Sequence, residues 1–190
     1  MQIDELTVGM VQTCCYILSK EDRQDCIVID PGAEADRIRK AAGEKQIAAI
    51  LLTHGHFDHI GAAEALMNNE EAEKPRLMIH ALDAPMLGNP ELNASAGLIG
   101  RALTAPEATD LVQEGDEMEL AGLRVKVLHT PGHTPGSVCY EIEGELFTGD
   151  TLFEYGWGRT DLPGGDEGQM EASLRRLMPI VRTMKFHAGH

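Results

Sequence analysis

The sequence has few basic residues, few aromatic residues and no long apolar run. Its 190 residues include 16 Lys and Arg against 31 Asp and Glu, a formal net charge of −15. Such a surface repels nucleic-acid phosphates, so we predict no nucleic-acid partner. No apolar run approaches the roughly 20 residues that span a bilayer, so we predict no membrane partner. The 4% of aromatic residues gives little support for a broad apolar substrate groove.

Cysteine is also scarce, and its spacing excludes two kinds of small scaffold. The four cysteines are Cys14, Cys15, Cys26 and Cys139, and no two of them form a C-x-x-C pair. This predicts neither a zinc ribbon nor a disulfide framework, but buried thiols in a reducing compartment. The N-terminus has no basic stretch followed by an apolar one, so we expect no signal peptide and a cytoplasmic location.

The hydrophobic pattern predicts one α+β domain over residues 1–190. We predict strands at 3–8, 13–19, 26–30, 47–53, 77–79, 117–120, 123–128, 138–142, 145–148 and 184–187. Helices are expected at 35–42, 58–68 and 167–181, and only short helices and loops at 81–110. Each half gives strands followed by a helix, which favours two mixed sheets face to face with helices outside.

Residues 53–61, T-H-G-H-F-D-H-I-G, gather three imidazoles and a carboxylate directly after a predicted buried strand. In an extended loop, His54 and His56 project to the same side and can chelate one ion. Asp58 and His59 lie at the turn into a predicted helix, point elsewhere and suit a second ion. Imidazole and carboxylate ligands suit Zn, Fe or Mn, so the sequence does not choose the metal.

Three further candidate ligands also follow predicted strands. They are His133 in T-P-G-H-T-P-G-S, Asp150 in F-T-G-D-T, and His190 in the closing H-A-G-H. Loops at strand ends can converge on one edge of a sheet scaffold, so we expect these residues to meet the first loop. Gly189 is predicted to allow a tight turn that aims His190 inward. We interpret the remaining histidines as structural: His80, His129 and His187.

These motifs resemble the metallo-β-lactamase-fold hydrolases over essentially the whole chain. That resemblance implies an αββα sandwich of two similar halves, in agreement with the repeated pattern of strands and helices. It also implies two groups of metal ligands with one bridging residue: His54, His56 and His133 for the first metal, Asp58, His59 and His190 for the second, and Asp150 for both.

The segment G-R-T-D-L-P-G-G at 158–165 resembles the small single-domain glyoxalase II-like (hydroxyacylglutathione hydrolase-like) proteins. The resemblance implies hydrolysis of a small-molecule thioester with two divalent metal ions (Zn, or Fe or Mn) and a metal-bound hydroxide as nucleophile. Asp58 would be both a ligand and a catalytic group that orients the nucleophile or carries its proton. The guanidinium of Arg159 would suit a substrate carboxylate.

Two other functions stay open. The G-R-T-D core also resembles persulfide dioxygenases, which implies one iron and fewer ligands, and a metal-binding protein without significant turnover would need the same cluster. His56 stands where flavodiiron proteins usually carry Glu, which disfavours O₂ or NO reduction. Two-domain glyoxalase II enzymes hold glutathione with a further helical domain, and this sequence ends at His190. The thiol carrier and the oligomeric state therefore stay open.

Overall fold

The computed structural model describes residues 1–68 and 73–190, which contain two sheets. The strands of the first sheet lie in chain order: β1 (Gln2–Val8), β2 (Thr13–Ser19), β3 (Asp25–Ile29), β4 (Gln46–Leu51), β5 (Arg76–His80) and β6 (Asp110–Val112). Strands β1 to β3 pair antiparallel, and β3 to β6 pair parallel. The carboxyl ends of β3, β4 and β5 therefore share one edge.

The second sheet is formed by the C-terminal half of the chain. Its strands are β7 (Glu117–Leu120), β8 (Leu123–His129), β9 (Val138–Ile142), β10 (Glu145–Gly149) and β11 (Phe186–Ala188), in the order β11-β10-β9-β8-β7. All neighbours are antiparallel except β10 and β11, which run parallel. The ends of β10 and β11 thus also share an edge.

Alternation along the strands builds three apolar layers. The helices are α1 (Ala35–Ala42), α2 (Phe57–Ile60), α3 (Ala63–Met67), α4 (Ser95–Ile99) and α5 (Glu167–Val181). Ile27 of β3 packs with Val125 of β8 between the sheets, whereas the next residue, Val28, packs outward with Ile38 of α1. Leu177 of α5 covers the outer face of the second sheet. The order helix, sheet, sheet, helix confirms the predicted αββα sandwich.

Three segments differ from the sequence prediction. The helix expected at 58–68 is broken into α2 and α3, because Ala62 N donates to the carbonyl of Pro31 (2.8 Å) rather than within the helix. Strand β6 was not predicted, since three residues are too few to show an alternation. The last strand begins at Phe186 rather than 184, because Met184 N still bonds the carbonyl of Ile180 at the end of α5.

The structure also shows the state of the cysteines and the character of the helices. All four cysteines are free thiols, and Cys15, Cys26 and Cys139 are fully buried. Within the described ranges, no helix combines the length and the apolar character that crossing a membrane requires.

Hydrogen bonds join the two sheets at the edge where the predicted ligand loops lie. Tyr140 of β9 donates from its hydroxyl to the carbonyl of Leu52 (2.9 Å), and Val138 N donates to the carbonyl of Thr53 (2.8 Å). Tyr16 of β2 donates to the carbonyl of Ala188 (2.6 Å). Loops from both halves are therefore held against each other at this edge.

Candidate metal centre

The first group at this edge consists of three buried imidazoles. His54 and His56 follow β4, His133 follows β8, and each is at most 3% exposed. One nitrogen of each ring lies within 4.8 Å of the other two, and His56 Nδ1 is 2.9 Å from His133 Nε2. Burial lowers the pKa of His56 to about 3 and also lowers that of His54, with neighbouring imidazoles adding to the effect. Both rings are therefore neutral and keep a lone pair for a metal.

The second group combines a carboxylate with two imidazoles. Asp58 and His59 lie in α2, and His190 follows β11. Asp58 Oδ2 is 3.7 Å from His59 Nε2 and 3.3 Å from His190 Nε2. Burial alone would raise the pKa of Asp58, but the two imidazoles outweigh it and hold that pKa below its usual range. The carboxylate is therefore ionised and suited to a cation.

Asp150, which follows β10, lies between the two groups. Its Oδ1 is 3.3 Å from His59 Nε2, and its Oδ2 is 3.5 Å from His133 Nε2. Gly189 lies so close to Asp150 Oδ1 that a Cβ would overlap with it. This close approach, rather than the predicted tight turn, explains the glycine before His190. The structure thus brings all seven predicted ligands together.

Hydrogen-bond partners fix the orientation of two of the rings on the first loop. Thr53 donates from Oγ1 to Asp30 Oδ2 (2.6 Å), so its oxygen is left to accept from His54 Nδ1 (3.1 Å). His59 Nδ1 lies 2.9 Å from the same Asp30 oxygen. The hydrogen bond from His54 assigns the proton of that ring to Nδ1 and leaves its Nε2 lone pair free to bind a metal, and the Asp30 carboxylate orients the His59 ring.

The third ring is oriented by the G-R-T-D segment. His133 Nδ1 donates to the backbone carbonyl of Arg159 (2.7 Å), again leaving Nε2 as the ligand atom. Gly158 permits this contact, because a Cβ there would lie 2.8 Å from His133 Nδ1. The segment therefore contributes backbone atoms to the centre.

The unpaired polar atoms of the centre test whether these residues fit metal ions. Within residues 1–68 and 73–190, five buried side-chain atoms have no hydrogen-bond partner: His54 Nε2, His56 Nε2, His59 Nδ1, His59 Nε2 and Asp150 Oδ1. Each buried unpaired group costs about 1–3 kcal/mol. Nitrogen and carboxylate donors together suit Zn, Fe or Mn. The cluster therefore fits divalent metal ions.

Comparison with known proteins agrees with this geometry. A family model described as the metallo-beta-lactamase superfamily matches residues 8–189. The chain belongs to this superfamily. The metallo-β-lactamase superfamily binds divalent metals, so the cluster is a candidate centre of the expected kind.

Three relatives within the superfamily cover the whole chain or nearly so. A Haemophilus influenzae protein named hydroxyacylglutathione hydrolase GloC is 36% identical over 100% of this chain and 91% of its own length. The structure of BLEG-1, described as a B3 metallo-beta-lactamase, has a TM-score of 0.91 at 35% identity, covering 100% of this chain and 91% of that one. The di-iron-bound structure of TTHA1623 has a TM-score of 0.83 at 34% identity, covering 98% and 91%.

The side chain of Arg159 is bound to a carboxylate of this chain. Its Nε and Nη2 donate to the two oxygens of Asp161, at 2.6 Å each, and both side chains are exposed. Arg159 lines the cavity beside the centre, as the sequence predicts for a substrate-binding residue. Its guanidinium, however, is paired with Asp161 rather than free for a substrate.

Asp83 is a buried part of this metallo-β-lactamase-superfamily site that the sequence does not reveal. It follows β5 and accepts from Gly55 N (3.1 Å), Gly136 N (2.6 Å) and Thr134 Oγ1 (2.6 Å). These donors belong to the loops of His56 and His133, so the carboxylate ties the two loops together. Its single acidic side chain after an apolar strand resembles an ordinary surface residue in the sequence. Asp30, which ends β3 in the same manner, is buried for a similar reason.

We expect Asp83→Ala to lower the free energy of unfolding by on the order of 3 kcal/mol, because three buried donors lose their acceptor. Metal affinity should fall as well, since the two loops would separate. Urea unfolding and metal titration measure both effects. Asp36→Ala, at a fully exposed aspartate, is the control and should change neither. Unchanged stability of Asp83→Ala would contradict the role of this carboxylate.

The remaining histidines lie outside the candidate ligand groups found among the described residues. His80 and His129 stack on each other with ring centroids 4.2 Å apart, and His187 bonds Glu145 (2.5 Å). Their contacts agree with the structural interpretation given to them above.

Proposed function

We propose that this member of the metallo-β-lactamase superfamily is a dinuclear metal-dependent hydrolase of thioesters, of the glyoxalase II type. The observation that carries the proposal is the position of Asp150, whose carboxylate is close to both ligand groups. Its Oδ1 is 3.3 Å from His59 Nε2, and its Oδ2 is 3.5 Å from His133 Nε2 and 3.7 Å from His190 Nε2. A carboxylate between two groups of donors suits a pair of ions rather than a single one.

In this proposal every predicted ligand has a place. One ion would be held by His54, His56 and His133, the other by Asp58, His59 and His190, and Asp150 would serve both. When bound, two divalent ions supply polarisation of an acyl oxygen and a water of lowered pKa as the nucleophile.

Asp58 is the catalytic residue of the proposal. It lines the cavity beside the centre together with Asp150 and His190, and its Oδ2 accepts a hydrogen bond from Thr13 Oγ1 (3.3 Å). From this position the carboxylate can orient the attacking water. The described residues that line the cavity include no lysine or tyrosine to protonate a poor leaving group. A thiolate leaves without such an acid, which favours a thioester over an amide.

The relatives give independent support. GloC carries the name of a thioester hydrolase, and the di-iron form of TTHA1623 shows that a related chain binds two irons. BLEG-1 is named as a β-lactamase, so β-lactam hydrolysis belongs among the activities to be tested.

The experiment that tests the proposal combines metal analysis with three assays on zinc-loaded and iron-loaded protein. We expect two metals per chain and hydrolysis of a thioester well above that of a β-lactam. One iron per chain with persulfide oxidation would instead favour the dioxygenase. Bound metal without turnover of any of the three substrates would favour a metal-binding protein.

The variant His190→Ala separates the two reaction classes. We expect it to lose one ion selectively and to reduce thioester hydrolysis by on the order of 10²-fold or more, because both ions act on the reaction. Persulfide oxidation, which needs one iron, should change much less. Metal content and both rates are measured on the same preparations. His187→Ala, three residues earlier, is the control. Full thioester hydrolysis with two bound metals in His190→Ala would refute the ligand assignment.

A further inference from the structure

The cavity beside the candidate metal centre has an apolar wall that the proposed reaction does not require. Its volume is about 360 Å³, near the small end of the range for ligand pockets. The metal ligands occupy one side. The rest is lined largely by apolar side chains: Val11, Phe57, Leu98, Ile99, Phe153 and Leu162.

Two of these side chains are unusually exposed for their type. Val11, in the turn between β1 and β2, is 44% exposed, and Leu98 of α4 is 51% exposed. Only Phe57 and Phe153 are aromatic, so aliphatic side chains supply most of an apolar wall that the low aromatic content gave little reason to expect. A bound apolar group would remove this surface from water, which stabilises binding in proportion to the area covered.

The wall offers little to a charged substrate group. Arg159 is the only lysine or arginine among the described residues that line the cavity, and its guanidinium is paired with Asp161. A carboxylate placed against the wall would therefore lose hydration without gaining a free partner, which is costly. The two carboxyl groups of glutathione would meet this cost unless they remained in solvent.

We propose, building on the thioester hydrolase function above, that the natural substrates are uncharged thioesters with an apolar acyl chain rather than glutathione thioesters. The thioester carbon lies at the metal centre, and the acyl chain lies against Val11, Leu98 and Ile99. Specificity then arises from aliphatic burial instead of carboxylate recognition.

Binding of non-hydrolysable thioethers tests the pocket without turnover. The probes are S-hexylglutathione and S-hexyl-N-acetylcysteamine, which share the hexyl group and differ in the charge of the carrier, with S-methyl-N-acetylcysteamine as the short reference. With zinc-loaded protein in a calorimeter, we expect the neutral hexyl compound to bind at least about five-fold more tightly than the glutathione compound. Its affinity should also exceed that of the methyl compound, by about four-fold for each methylene that becomes fully buried.

Two variants link this preference to the wall and to the ion pair. Leu98→Ser should reduce the gain in affinity from the methyl to the hexyl compound. Leu111→Ser, at a leucine that is 58% exposed outside this cavity, should leave that gain unchanged. Asp161→Asn frees the guanidinium of Arg159 and should improve binding of S-hexylglutathione more than that of the neutral compound.

Kinetics with acetyl and hexanoyl thioesters of both carriers complete the test. We expect the highest kcat/KM for the hexanoyl ester of N-acetylcysteamine. Tighter binding or faster hydrolysis of the glutathione compound, or no gain from the longer chain, would overturn this inference and leave the proposed function intact. Hydrolysis of no thioester by zinc- or iron-loaded protein would overturn both together.

Discussion

We expect His56→Ala to abolish thioester hydrolysis, with a loss of at least on the order of 10³-fold, while the fold stays intact. His56 supplies a nitrogen 2.9 Å from that of His133, so its removal leaves the first group with two imidazoles. Its side chain makes no capping hydrogen bond to α2 in the described part of the chain. Removing it should therefore cost metal and turnover but little secondary structure. Circular dichroism, metal analysis and rate measurements test these statements on one preparation.

The stability of this variant separates a binding site from a folding nucleus. Metal bound to the native state adds RT ln(1 + [L]/Kd), about 2.7 kcal/mol when the free metal is 100 times Kd. With metal present, we expect the free energy of unfolding of wild type to exceed that of His56→Ala by such an amount. With chelator, the two free energies should be equal. His80→Ala is the control, because that ring is buried outside the ligand groups and should keep full turnover. Global unfolding of metal-free His56→Ala at room temperature would show instead that the cluster is a structural nucleus.

The second large effect is expected for Asp150→Ala, which should weaken both metal sites together. Its carboxylate is 3.5 Å from His133 of the first group, and 3.3 and 3.7 Å from His59 and His190 of the second. Loss of a ligand common to both ions should raise each dissociation constant by at least on the order of 10²-fold, since loss of a mere outer-shell partner already costs 10- to 100-fold. Hydrolysis should fall to background. Metal titration followed by calorimetry resolves the two sites.

A matched substitution tests whether charge or position matters at this residue. Asp150→Asn keeps the shape and one carbonyl oxygen but removes the negative charge, so we expect it to retain one ion better than Asp150→Ala and still hydrolyse slowly. If Asp150→Ala lost a single ion and held the other at native affinity, the residue would belong to one site alone, and the dinuclear proposal would lose its main support.

The sequence predicted most of the fold because short apolar runs end at recognisable turn residues, as β3 does before Pro31-Gly32. Strands β2, β7 and β9 and helices α1 and α5 begin and end at the predicted residues, and the two-sheet arrangement follows from the repeat of strands and helix in each half. The break between α2 and α3 could not be predicted, because it depends on a hydrogen bond from Ala62 N to Pro31, which lies in a different loop.

Residue spacing predicted the candidate ligands but not the atoms that orient them. Three imidazoles and a carboxylate within six positions have no common structural purpose, so His54 and His59 were evident from spacing alone. The Nδ1 atoms of the ligand histidines are oriented by other residues: His54 by Thr53, His59 by Asp30 and His133 by the Arg159 carbonyl. These contacts depend on how the loops fold. The ion pair of Arg159 with Asp161 could not be predicted either, because it depends on the local path of the chain.

Anomalous diffraction from crystals of the metal-loaded protein, recorded at the absorption edge of the bound metal, tests the central claim most directly. We expect two peaks about 3.5–4 Å apart. One should lie among His54, His56 and His133, and the other should lie beside Asp58, His59 and His190. Asp150 should contact both. A single peak, or a peak away from these residues, would contradict the dinuclear centre on which the proposed hydrolysis depends.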